Sequence, residues 1–131
     1  MKSVLSFALT CLVLLVGACM ESSDDLLGGC ERVREFQVYD QRGNLIWRIQ
    51  TNAPREICSI HYGTVPAAFV QVVPPSGSPR LFHANERVFV QRTTGDRFVR
   101  HDCSATSGRS VACAGYIEGP LASPDRAFHG L

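Results

Sequence analysis

The chain has 131 residues, of which 45% are hydrophobic and 19% are charged, and its formal net charge at pH 7 is +1. This length predicts one small domain with a modest core and leaves little room for a second domain. The near-neutral charge and the lack of a recognisable nucleic-acid-binding sequence motif argue against a nucleic-acid partner.

Residues 1–18 have the order of a secretory signal peptide. Lys2 supplies a positive charge, an uncharged apolar run follows over residues 4–16, and Gly17 and Ala18 are the small residues before a cleavage site. An uncleaved transmembrane helix is the alternative, but the run is shorter than the roughly 20 residues that cross a bilayer core. We therefore predict a signal peptide over residues 1–18.

The end of this segment, Val16-Gly17-Ala18-Cys19, resembles the lipobox of bacterial lipoproteins. The resemblance implies cleavage before Cys19 and acylation of that cysteine, so that two or three acyl chains attach the protein durably to a membrane. Because Met20 follows Cys19 in place of an aspartate, the resemblance also implies the outer membrane, with the protein facing the periplasm.

Acidic residues, serines and glycines dominate the stretch after the lipobox. This composition is typical of chain that is solvated and does not pack. We therefore predict that residues 19–32 form a lipidated flexible tether between the membrane and a domain over residues 33–118. The last residues, 119–131, are predicted to be a flexible tail.

Short runs of alternating or β-branched residues, separated by turn residues, follow one another through the domain. They predict seven strands, over residues 35–39, 45–50, 57–62, 69–73, 87–92, 97–101 and 110–117. The fold class is therefore all-β, as a small antiparallel β-sandwich of the immunoglobulin or fibronectin kind, with a small β-barrel as the alternative. Trp47 is the predicted centre of the core. Its predicted neighbours are Phe36, Ile49, Ile60, Val72 and Val88.

Four cysteines remain after removal of the signal peptide and acylation of Cys19: Cys30, Cys58, Cys103 and Cys113. Export favours disulfides, with three possible connectivities. The short separation of Cys103 and Cys113 favours a local bridge, which leaves Cys30 with Cys58. No CxxC pair is present, so neither a metal nor another cofactor is expected.

The segment from Tyr62 to Pro74 reads YGTVPAAFVQVVP. It resembles a YGxVPxxFxQxxP pattern of small Gram-negative lipoproteins whose molecular function is unknown, and that resemblance implies no reaction. Members of the family typically have glycine where this chain has Ala68. The residues themselves favour a structural role, with Gly63 and Pro66 in a tight reversal. The functional alternative places Tyr62, Phe69 and Gln71 around a shallow groove for sugar or peptide.

Two groups of polar residues are the remaining site candidates. Arg87 and Arg92 belong to an arginine-rich hairpin that either binds phosphate or carboxylate or is a solvated sheet edge. The histidines lie at positions 61, 83, 101 and 129 without a catalytic spacing, and the triplet His101-Asp102-Cys103 points alternate side chains to opposite faces of a strand. The sequence thus favours a non-enzymatic envelope module that binds protein or polysaccharide, with a small envelope hydrolase or sugar-modifying enzyme as the alternative.

Overall fold

The computed structural model describes residues 23–121. Six strands occur in this range: β1 Glu31–Asp40, β2 Leu45–Ile57, β3 Val70–Val73, β4 Arg87–Thr94, β5 Arg97–Ser107 and β6 Ser110–Pro120. No helix that would cover the thickness of a bilayer is found among these residues. The predicted signal peptide and the lipidation site Cys19 lie outside the described residues, as do residues 122–131.

The strands form one antiparallel sheet in the order β3-β2-β1-β4-β5-β6. The structure therefore confirms the all-β class. The sheet is not closed into a barrel, so the predicted alternative is excluded, and the arrangement is consistent with a small β-sandwich. Val38 of β1 lies opposite Val90 of β4, and Val88 of β4 lies opposite Cys103 of β5. These apolar side chains therefore share one face of the sheet, which we call the inner face.

One predicted strand, over residues 57–62, is wrong. Ile57 is instead the last residue of β2, which continues past the expected end because its residues 55–57 pair with Val33, Arg32 and Glu31 of β1. The chain then leaves the sheet and crosses the inner face, where Ile60 and Tyr62 are buried. Asn52 and Pro54 are typical of turns, so the sequence pattern did not predict that β2 continues through them.

The core lies between the inner face and the segments that connect the strands. Trp47 and Phe36 are fully buried on the sheet and meet edge to face at 6.0 Å between ring centroids. The covering layer comes from connecting segments, which bury Leu26, Leu27, Ile60, Tyr62, Phe69 and Phe82. Of the predicted neighbours of Trp47, Phe36, Ile49, Ile60 and Val88 belong to this core, whereas Val72 is half-buried.

The described part of the predicted flexible tether is packed against the domain. Leu26 and Leu27 are buried in the core, and the Asp25 carboxylate accepts hydrogen bonds from the backbone N–H groups of Leu27 and Ile60, both at 3.0 Å. Ser23 pairs with Val111 in an antiparallel bridge. The prediction of a flexible tether is therefore wrong for these residues. The acidic composition suggested solvated chain, but Asp25 binds backbone N–H groups and the two adjacent leucines fill part of the core.

The predicted disulfide pairing is confirmed. Cys30 is joined to Cys58 and Cys103 to Cys113. The first bridge fixes the N-terminal segment beside the start of β1, and the second connects the paired strands β5 and β6. β6 itself extends to Pro120, so Gly119 and Pro120 belong to the sheet and not to the predicted tail.

Ala68 has a backbone φ of 70°, in the left-handed region that glycine adopts most readily. This is the position at which the lipoprotein pattern that the segment resembles has glycine. The next residue, Phe69, is buried, and its backbone N–H donates to the carbonyl oxygen of Pro66 at 3.1 Å. This hydrogen bond closes a turn that includes Ala68. The chain therefore adopts a glycine-type conformation with an alanine in place.

We expect Ala68→Gly to raise the free energy of unfolding by about 1 kcal/mol. A left-handed conformation costs a non-glycine residue roughly 1–2 kcal/mol, and glycine avoids this cost. Part of the benefit is offset because glycine also makes the unfolded chain more flexible. Urea unfolding of the oxidised domain measures the change. The neighbouring exposed Ala67, whose φ is not positive, is the control. Ala67→Gly should lower stability, and a loss of similar size for both variants would contradict the assignment.

Candidate functional site

The motif residues Tyr62 and Phe69 lie in the core and do not line an accessible groove. Tyr62 is 1% exposed, stacks on Phe82 with 4.2 Å between ring centroids, and meets Trp47 edge to face. Its hydroxyl donates to the carbonyl oxygen of Arg80 at 2.7 Å. Burial, the largest influence, raises the pKa of Tyr62 to about 12. The structural interpretation of the motif therefore fits these two residues.

Gln71 has both ends of its side-chain amide occupied. Its Oε1 accepts the indole N–H of Trp47 at 3.0 Å, and its Nε2 donates to the carbonyl oxygens of Pro74 at 2.9 Å and Gly77 at 2.8 Å. The amide thus satisfies a core indole and fixes the turn after β3. These contacts give Gln71 a structural role.

Arg87 and Arg92 lie on opposite faces of β4, because five positions separate them. Arg87 pairs with the carboxylate of Asp102, with Nε 3.0 Å from Oδ1. Arg92 points to the inner face and pairs with Glu31, with Nη2 3.0 Å from Oε1. The two arginines therefore do not form a joint phosphate or carboxylate site.

The outer face of the sheet carries a set of polar and aromatic side chains that sequence reasoning missed. Gln37, Gln91 and Arg100 lie directly opposite one another across β1, β4 and β5, and all three are buried. Gln91 Nε2 donates to Gln37 Oε1 at 3.0 Å, and Gln37 Nε2 donates to Glu35 at 2.9 Å. Glu35 in turn forms an ion pair with Arg48. A polar row thus crosses four strands on the face away from the core.

The guanidinium of Arg100 lies over two aromatic rings of this face. Its Cζ is 4.2 Å from the ring centroid of Phe89 and 5.7 Å from that of Tyr39. Burial lowers the pKa of Arg100, with Tyr39 and Asp102 opposing the shift. Burial also raises the pKa of Tyr39, an effect that Glu35 reinforces. A planar cation stacked on aromatic faces is held in a fixed orientation.

A groove with a volume of about 570 Å³ opens beside Arg100. Its walls come from the β1–β2 turn and from strands β4, β5 and β6, and it is lined by Gln41, Arg42, Gly43, Phe89, Arg100, Asp102, Gly115, Tyr116 and Ile117. Ile117 lies opposite Arg100 on the outer face and is 45% exposed. The adjacent Tyr116 lies opposite His101, and its ring centroid is 5.5 Å from that of His101 on the inner face. The groove thus combines exposed apolar surface, a stacked arginine and a carboxylate. We take it as the candidate binding site.

The turn that forms one wall of the groove is held by Asp40. Its Oδ1 accepts the backbone N–H groups of Arg42 and Asn44, both at 2.9 Å, and Gly43 has a φ of 84°. Burial tends to raise the pKa of Asp40, but the hydrogen bonds from Asn44 and Arg42 outweigh it and lower the pKa. This wall of the groove is therefore fixed before any ligand binds.

A second cavity, of about 310 Å³, contains the cluster relevant to the hydrolase alternative. Arg92 pairs with Glu31 and also lies with Nη1 2.9 Å from Nε2 of His101. Since an arginine only donates, His101 Nε2 is an acceptor and the imidazole is neutral. Burial and, second, the charge of Arg92 lower the pKa of His101, which favours the same state. Arg92 thus stands between the carboxylate and the imidazole.

The other catalytic suspects are dispersed. His61 and His83 are exposed, and His129 lies outside the described residues. Asp102 points away from His101 to pair with Arg87, and Cys103 is in a disulfide, so the triplet does not form a reactive site. Cys30, Glu56 and Cys58 have ligand-type atoms within 4.8 Å of one another, but the disulfide between the two cysteines leaves no thiolate for a metal.

Comparison of the chain with protein-family models, with curated proteins and with solved structures gave no match. The site therefore has to be interpreted from its own geometry.

One feature of the sequence did indicate that the outer face is covered. In β4 the run Val88-Phe89-Val90 is apolar at consecutive positions, a pattern typical of a strand that is covered on both faces.

We expect the stability of the domain to fall between pH 10 and pH 12, in part through Tyr62. The unfolded chain releases this proton near pH 10, whereas the folded protein holds it to about pH 12. The stabilisation is therefore complete below pH 10 and is lost as the pH rises through the folded value, by about 2–3 kcal/mol. Denaturant unfolding at several pH values measures this loss.

The variant Tyr62→Phe tests the assignment. It should cost about 1 kcal/mol at pH 7, through the lost hydrogen bond to Arg80, and should show a smaller loss between pH 10 and pH 12 than the wild type. Tyr116→Phe is the matched control, because it removes the hydroxyl of a tyrosine that is 62% exposed, and it should leave the free energy of unfolding at pH 7 close to that of the wild type. Equal slopes for Tyr62→Phe and the wild type would contradict the prediction.

Proposed function

We propose that this protein is a lipid-anchored module of the bacterial cell envelope, without catalytic activity, that binds an envelope polysaccharide through the groove beside Arg100. The anchor is Cys19, and the location is the outer membrane, facing the periplasm. The observation that carries the proposal is the groove itself, which joins exposed Ile117 to the stacked guanidinium of Arg100 and the carboxylate of Asp102.

The lipid anchor is supported by the sequence Val16-Gly17-Ala18-Cys19 at the end of the apolar run. Two disulfides agree with it, since disulfides persist in the oxidising periplasm and are rare in the cytosol. Together, the N-terminal signal and the cysteine pairing favour a protein that folds after export.

A polysaccharide suits the chemistry of the groove. The exposed side chain of Ile117 provides an apolar surface for a sugar ring, while Arg100 and Asp102 provide a hydrogen-bond donor and an acceptor for hydroxyl groups. Arg42, an exposed residue of the same groove, adds a positive charge. The two arginines therefore favour sugars that carry carboxylate or phosphate groups. An envelope protein is the alternative ligand.

A hydrolase or sugar-modifying enzyme is a weaker proposal. It would use the cavity that contains Glu31, Arg92 and His101. Because Arg92 pairs with both neighbours, the imidazole faces a cation and not a carboxylate, which is a poor arrangement for a general base.

We expect Cys19→Ser to abolish incorporation of radiolabelled palmitate and to release the protein from the membrane fraction. The thioether that carries the lipid cannot form without this thiol. Cys11→Ser is the matched control, because Cys11 lies within the predicted signal peptide and should leave labelling and membrane retention at the wild-type level. Labelling of the Cys19→Ser variant would contradict the anchor.

We expect Ile117→Ala and Arg100→Lys each to weaken binding of soluble envelope-polysaccharide fragments about tenfold, which corresponds to about 1.4 kcal/mol. Lysine keeps the charge of Arg100 but cannot stack as a planar group. Calorimetric titration measures the affinity, with neutral glucose oligosaccharides as the comparison ligand.

Val70→Ala is the control for this titration, since Val70 is 64% exposed and lies on β3, at the other edge of the sheet. It should bind like the wild type. If Ile117→Ala and Arg100→Lys bind as tightly as Val70→Ala, the groove is not the ligand site. If the wild type binds an envelope protein and no polysaccharide, the alternative ligand is correct.

A further inference from the structure

The first residue of the packed N-terminal segment is bound to the edge of the sheet. The backbone N–H of Ser23 donates to the carbonyl oxygen of Val111 at 2.9 Å, and the N–H of Val111 donates back to Ser23 at 3.1 Å. Ser23 is only four positions after Cys19. Consecutive Cα atoms are 3.8 Å apart, so the connection cannot exceed about 15 Å in any conformation. A lipid on Cys19 would therefore hold Ser23 close to the membrane.

The residues around Ser23 form one continuous surface, which we call the basal surface. Asp24 forms a hydrogen bond with the hydroxyl of Ser110, and its carbonyl oxygen lies 3.1 Å from Nδ1 of His61. The β5–β6 turn continues this surface through Arg109, which is exposed. Three separate parts of the chain thus meet where the anchor would reach the domain.

Leu81 extends the basal surface with an apolar side chain. It packs beside the β5–β6 turn, since a Cβ placed on Gly108 would lie 3.4 Å from Leu81 Cδ1, and the backbone N–H of Phe82 donates to the carbonyl of Gly108 at 2.8 Å. Leu81 nevertheless remains 55% exposed. An exposed leucine beside an exposed arginine suits the boundary between lipid headgroups and acyl chains.

We propose that the basal surface, formed by Ser23, His61, Leu81, Gly108 and Arg109, rests on the phospholipid surface that holds the lipid anchor. This inference depends on the proposed lipidation of Cys19. Leu81 enters the headgroup region, and Arg109 pairs with lipid phosphate. The occupant is the membrane and not another protein, because the short connection from Cys19 brings this end of the domain to the bilayer.

The opposite end of the domain then faces away from the membrane. Strand β5 runs from Arg97 to Ser107, so its two ends are roughly 33 Å apart. The β4–β5 turn at Arg97 is thus the part of the sheet farthest from the basal surface along this strand. The domain has a fixed orientation on the membrane and does not rotate freely at the end of a tether.

Fluorescence quenching by brominated lipids tests the orientation. Mature lipidated protein is reconstituted into phosphatidylethanolamine–phosphatidylglycerol vesicles, with or without brominated acyl chains. Native Trp47 is fully buried and gives a common background. We expect the Leu81→Trp and Arg109→Trp variants to lose emission in the brominated vesicles. The control Arg97→Trp, at an exposed position of the far end, should keep the emission it has in unbrominated vesicles.

Two further measurements distinguish a failure of the membrane-contact proposal from a failure of the proposed lipid anchor. Palmitate labelling and flotation with the vesicles are measured on the same samples. If the protein is labelled and floats, but Leu81→Trp and Arg109→Trp are quenched no more than Arg97→Trp, the basal surface does not contact lipid and the inference is wrong while the anchor stands. If the wild-type protein is neither labelled nor retained, the proposed lipid anchor fails and the inference fails with it.

Discussion

The hydrogen bond from the indole of Trp47 to the amide of Gln71 is the contact on which much of the fold depends. Trp47 is fully buried, and a buried indole N–H needs an acceptor. The same amide donates to the carbonyls of Pro74 and Gly77, so one side chain connects the core, β3 and the following turn. Trp47 in turn contacts Tyr62, which holds the segment covering the inner face.

A single sheet has two faces to protect, and this chain protects them by different means. The inner face is covered by connecting segments that carry Leu26, Ile60 and Phe82. The outer face is covered by its own long side chains, above all Arg100, which lies over Tyr39 and Phe89. Since the outer face is closed by a planar cation and amides, it is suited to polar ligands in a way that the core-facing side is not.

Local patterns predicted the disulfide pairing, most of the core and the strands apart from the one expected over residues 57–62, because alternation and short cysteine separation act between near neighbours. They did not predict features that depend on distant pairing. The stretch 57–62 has strand-like residues but crosses the sheet, and Asp25 reads as a solvated acid but binds the backbone of Ile60. The groove beside Arg100 joins residues from three strands and a turn, so neither spacing nor composition could bring them together.

The N-terminal segment is therefore a layer of the domain and not a spacer. It is fixed at Ser23 by pairing with Val111, in its middle by Asp25, and at its end by the disulfide of Cys30 with Cys58. A pull on a lipid at Cys19 would act first on the Ser23 pair, at the edge of β6, and the remaining two attachments would keep the core covered. With a lipid on Cys19, the same attachments would also set the direction in which the domain leaves the membrane, so its orientation would follow from the fold itself.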